Sequence, residues 1–112
     1  MKIYSGPAYR SDTHLLDSIA GKDIWVLAYT TEDHYYWIHV KNVVRDYYEC
    51  DAIWVERDPA YGPEYFNWIN RYEYNFFPYE LTFESPVTLL STKELWAGFD
   101  AYAVWHKQHF WE

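Results

Sequence analysis

Apolar and polar residues alternate most clearly between Tyr35 and Val44. One face of an extended chain there carries Tyr36, Ile38, Val40 and Val44, and the other carries Tyr35, Trp37, His39, Lys41 and Val43. A period of two predicts a half-buried strand. Arg45-Asp46 reads as a turn, and Tyr47–Glu56 resumes the alternation. In that second strand Tyr48, Cys50, Ala52 and Trp54 share one side, and Tyr47, Glu49, Asp51, Ile53 and Val55 share the other. Upstream, the apolar run Asp23–Tyr29 predicts a strand buried on both faces, and the polar stretch Thr30–His34 a hairpin loop. The three strands together predict an antiparallel meander.

The flanks are read from start and stop signals. Met1–Tyr4 is a short strand ended by Gly6-Pro7. Ser11 or Asp12 caps a helix through Ala20, with Leu15, Leu16 and Ile19 on one side and Gly21 as its stop. Arg57–Glu64, holding Asp58-Pro59 and Gly62-Pro63, is a loop. Tyr65–Phe77 fits both periods: Phe66, Ile69, Tyr72 and Phe76 suit a helix, and Tyr72, Tyr74 and Phe76 suit a strand. Pro78 ends it, Glu80–Glu84 is a further strand, and Ser85-Pro86 breaks that. Ser91-Thr92-Lys93-Glu94 matches a capping box, predicting a short helix that stops near Gly98. Ala101–His106 alternates and is assigned a last strand, with Trp105, Phe110 and Trp111 over an edge. The expected fold is a single α+β domain spanning residues 1–112: a mostly antiparallel, barrel-like curved sheet of about five to six strands with two short helices.

Composition narrows the class. The 26 aromatics (7 Trp, 13 Tyr, 6 Phe) in 112 residues exclude an intrinsically disordered chain. No apolar run reaches the ~18 residues of a membrane helix, and a single cysteine, Cys50, closes no intrachain disulfide, so a cytoplasmic protein is expected. The net charge is −8, and it is concentrated. Residues 46–84 hold nine carboxylates against Arg57 and Arg71, a local net of −7, interleaved with 13 aromatics. An acidic surface is a poor direct ligand for phosphate backbones.

Chemistry-bearing patterns are sparse. Neither phosphate-binding glycine motif occurs, and G-x-S-x-G is absent. His34 and His39 lie near Glu32 and Asp33, where an imidazole beside a carboxylate can serve as a general base, but no nucleophile accompanies them. Cys50 sits mid-strand beside Tyr48 and Trp54, the setting of an inert thiol. His106, His109 and Glu112 recur every three residues, one ligand short of a structural zinc site. No enzyme, cofactor or metal is assigned.

The remaining signal is acid together with tyrosine. A domain of this size cannot bury 26 aromatic rings with its aliphatic residues, so some stand on the surface, where Tyr and Trp favour interfaces. Carboxylates among them suit a basic partner. The expected function is a stoichiometric inhibitor that covers a basic, nucleic-acid-handling site on another protein, as a phage anti-defence or toxin immunity protein does. A phage-encoded one acts in the host cytoplasm. The expected contact set is Tyr47, Glu49, Asp51, Glu56, Asp58, Tyr61, Glu64 and Tyr65. Two rivals are a small-ligand or nucleotide-binding module walled by Trp25, Trp37, Trp54 and Trp68, and a self-assembling structural or virion subunit.

Overall fold

The alternating segments pair as their periodicity requires. The computed structural model describes residues 2–4, 13–31, 34–56, 67–83 and 87–110. The elements run β1 (Lys2–Tyr4), α1 (Thr13–Ile19), β2 (Trp25–Thr30), β3 (Tyr35–Val44), β4 (Tyr47–Glu56), β5 (Asn67–Phe76), a 3-10 turn (Pro78–Glu80), β6 (Leu81–Thr82), β7 (Val87–Leu90) and α2 (Thr92–Phe110). Six strands form one antiparallel sheet in the order β1-β7-β2-β3-β4-β5, with the two-residue β6 also paired to β2. The fold is α+β, and the predicted meander is β2-β3-β4. The sheet is open, with β1 and β5 at its edges, so the barrel expected from its curvature does not close.

α1 ends where glycine permits it. Gly21 takes φ 73°, a left-handed conformation that an L side chain resists, and its N–H donates to the Val40 carbonyl at 2.9 Å. The chain is thereby delivered beside β3 at the level where β2 begins. Ser11 and Asp12, the expected caps, lie outside the described residues.

Each face of the sheet has its own core. Leu15, Leu16 and Ile19 of α1 pack on Val26, Ala28, Ile38, Val40, Tyr48, Cys50 and Ala52. Leu95 and Phe99 of α2 pack on Trp25, Trp37, Ile53 and Val55 on the other face. Along β4 the buried positions are Tyr48, Cys50 and Ala52 under α1, then Ile53 and Val55 under α2. The two helices therefore cover opposite faces at opposite ends of the β3-β4-β5 region, and each leaves half a face open.

Five expectations change. The ambiguous segment is a strand, because β5 pairs with β4 from Tyr48↔Phe76 to Glu56↔Asn67. The second helix is not short. Gly98 fails to stop it, since Leu95, Phe99 and Tyr102 recur at helical spacing and are all buried. The strand expected at Ala101–His106 is the distal half of that 19-residue helix, and its alternation is incidental. The strand expected at Glu80–Glu84 shrinks to Leu81–Thr82 after the proline-led turn, and β7 was not anticipated. Lastly, the β3–β4 register shifts between Val40 and Asn42, a bulge at Lys41 that turns Asn42 and Val44 to the face of Glu49 and Tyr47 and turns Val43 to that of Tyr48. Val44 therefore leaves the face of Tyr36, Ile38 and Val40. Among the described residues no helix is long and apolar enough to cross a membrane.

Candidate functional site

The open half of the α2 face lies toward the β3–β4 turn. Tyr47, Glu49 and Asp51 of β4 are all half-buried there, between fully buried neighbours, so they share this side as their spacing predicts. β5 extends the row, setting Glu73 opposite Asp51 and Asn75 opposite Glu49. Exposed rings flank it: Phe77 lies edge-on to Tyr47 at 6.0 Å and stacks on Tyr79 at 5.7 Å. Lys41, Glu49, Glu73 and Asn75 line a shallow depression of about 480 Å³.

The carboxylates are not equivalent. Asp51 is engaged from two sides: His39 Nδ1 lies 3.3 Å from Oδ2, and Lys41 Nζ lies 3.9 Å from Oδ1. Lys41 also reaches Glu73 Oε2 at 3.5 Å, across a pair exposed enough to be weak. Glu49 accepts a hydrogen bond from Asn42 Nδ2 at 3.2 Å, a contact the Lys41 bulge makes possible. Glu73, with 82% of its side chain exposed, and Glu49 thus face solvent as the outward charge of the row, while Asp51 is engaged inside it.

Among the described residues the His39–Asp51 pair is the arrangement that resembles a catalytic dyad, and spacing alone did not reveal it, because its members lie on adjacent strands. His39 Nε2 donates to the Lys22 carbonyl at 2.8 Å, and the ring packs 5.2 Å from Trp25. Both nitrogens are thereby committed to the protein, which suits a strut joining β3 to the chain after α1. Cys50 is buried, with Sγ 3.5 Å from the Tyr48 carbonyl; burial, aided by the Asp51 charge, pushes its thiol up to about 12. Burial and a thiol held protonated are the setting of an unreactive cysteine.

The other expected contacts divide. Glu56 is exposed at the far end of β4 and alternates with Trp54, so it lies on the α1 face and not on the side of Tyr47, Glu49 and Asp51. Asp58, Tyr61, Glu64 and Tyr65 lie outside the described residues. Among the described residues no group of three or more His, Cys, Asp or Glu side chains gathers as a metal site would. His106 packs against Tyr102 on α2, and the side chains of His109 and Glu112 lie outside the described residues.

A second open area, on the α1 face, was missed by sequence reasoning. Tyr36, Trp54, Tyr72, Tyr74 and Phe76 line a cleft of about 290 Å³ with Glu80 at its border. These residues come from β3, β4, β5 and the 3-10 turn, and only the cross-strand register gathers them. The pocket imagined between four tryptophans does not form, because Trp25 and Trp37 are buried beneath α2 and Trp54 lines the opposite face. The Trp68 side chain lies outside the described residues.

Comparison with known protein families, with curated proteins and with solved structures finds no match.

Proposed function

We propose that this chain is a small stoichiometric binding protein whose acidic, aromatic sheet surface covers a basic, nucleic-acid-handling site on another protein. The observation that carries the reading is the uncovered half of the α2 face, where Tyr47, Glu49, Asp51 and Glu73 stand in two adjacent strands beside exposed Phe77 and Tyr79. Tyrosines supply contact area at low entropic cost, and carboxylates two residues apart on a strand present a row of negative charge that imitates phosphates. The net charge of −8 would speed encounter with such a partner and repel nucleic acid itself. An inhibitor of this kind fits a phage anti-defence or toxin immunity role, acting in the cytoplasm.

Because Asp51 is engaged by His39 and Lys41, the informative variant reverses the two outward charges, Glu49→Lys with Glu73→Lys. The tagged wild-type protein should retain one basic, nucleic-acid-handling protein from a cognate lysate at low salt and lose it at high salt. The double variant should keep its circular dichroism and bind at least about tenfold more weakly. Undiminished capture by the double variant at low salt would remove this surface from the function.

A further inference from the structure

The cleft on the α1 face is built differently from the acidic row. Its walls are rings: Tyr74 lies 4.6 Å from Phe76, and Phe76 lies 5.9 Å edge-on to Tyr36. Trp54 is braced at 4.6 Å by the His34 ring. Tyr72 and Tyr74 keep 37% and 46% of their surface open, although both sit opposite buried β4 residues. Among the described residues one carboxylate and one imidazole, that of His34, border the cleft, and the carboxylate is fixed in place: Glu80 Oε1 accepts the Phe77 N–H at 2.8 Å. No lysine or arginine lines the cleft among the described residues.

These features select a ligand by size and by charge. A volume of about 290 Å³ is at or below the small end of cofactor pockets and suits a single side chain better than a nucleotide. Aromatic faces carry the negative lobe of the ring quadrupole, so several rings with one carboxylate attract a cation. The molecule's net charge of −8 opposes any anionic occupant. Between the two basic side chains, a guanidinium is the better match. It is flat enough to stack between rings, more weakly hydrated than an ammonium, and able to meet Glu80 with two parallel N–H groups.

We infer that this cleft is a receptor for an arginine side chain presented by the protein partner. The inference rests on the proposed basic partner for the source of that arginine. β5 connects the two surfaces, since Glu73 and Tyr74 border the depression while Tyr72 and Tyr74 line the cleft. A partner that straddles this edge strand engages both.

The test titrates the isotope-labelled full chain with N-acetyl-arginine methylamide and, separately, with its neutral citrulline counterpart, reading amide and indole resonances. Arginine should move the Trp54 indole N–H and the Tyr72 and Tyr74 amides, with citrulline at least about fivefold weaker. Glu80→Gln retains an oxygen for the Phe77 N–H while removing the charge, and it should weaken arginine about fivefold. Tyr74→Leu, at an exposed position, should weaken it about threefold or more. Equal shifts from arginine and citrulline, an unaltered Glu80→Gln titration, or shifts confined to Glu49 and Glu73 would each overturn the assignment. Capture of a basic protein from lysate without arginine binding would refute the cleft and spare the proposed function. Arginine binding without any such capture would do the reverse.

Discussion

Tyr48 and Cys50 leave β4 on the same side, into the core beneath α1, and both hold their protons more tightly than usual. The Tyr48 hydroxyl donates to Asp17 Oδ1 at 2.8 Å; burial first, and that bond second, push it from 10.0 up to about 12. Burial likewise raises the Cys50 thiol from 9.0 to about 12. Above about pH 9 the unfolded chain therefore releases protons that the native chain keeps, so stability is complete below that pH and declines as pH rises toward 12. Urea midpoints should be level from neutrality to about pH 9 and then fall. Tyr48→Phe should lower the plateau by about 1 kcal/mol and make the alkaline fall shallower. Parallel curves for the two proteins up to pH 12 would show that Tyr48 contributes nothing to it. The buried thiol is legible in the sequence, because Cys50 alternates with Tyr48 and Ala52. The tyrosine–aspartate bond is not, since its partner lies 31 residues away on α1.

At the scale of elements, α2 shows how a local stop signal loses to burial. Its start is fully local: Ser91 N–H donates to Glu94 Oε1 at 2.9 Å and Glu94 N–H to Ser91 Oγ at 3.2 Å, the capping box as read. Asp23 accepts from both the Thr92 N–H and the Thr92 hydroxyl, while Trp25 Nε1 donates to that hydroxyl at 3.0 Å, which ties the helix start to β2. Gly98 costs roughly 1 kcal/mol against alanine in a helix interior. Burial of Leu95 and Phe99 on the sheet, with Tyr102 also buried, offsets that several times over. Leu95, fully buried against Trp25, Trp37, Ile53 and Val55, is the keystone, and Leu95→Ala should cost about 3 kcal/mol in urea unfolding. A loss below about 1 kcal/mol would mean that α2 is only loosely seated. The strands of the meander were legible because each carries its period within itself. The Lys41 bulge was not, for an extra residue in one strand is visible only against its partner.

For the molecule as a whole, the legible part of the site is the part that lies in one strand. Tyr47, Glu49 and Asp51 follow from alternation, whereas the engagement of Asp51 by His39 and Lys41 and the aromatic cleft with Glu80 depend on register between segments distant in sequence. The diagonal placement of the helices also predicts how the protein tolerates change. β4 should show two-residue periodicity in a saturation scan read out by folding, but the phase should invert midway. Near the turn the sensitive positions are Tyr48, Cys50 and Ala52, with Tyr47 and Glu49 permissive; beyond Ile53 the permissive positions become Trp54 and Glu56. Ala52 and Ile53, adjacent and both intolerant, mark the crossing. A scan that kept one phase from end to end would contradict two separate cores. If the phase does invert, each half of the strand can vary on its own side while the other side stays constrained, so the two surfaces of this protein are free to change independently of each other.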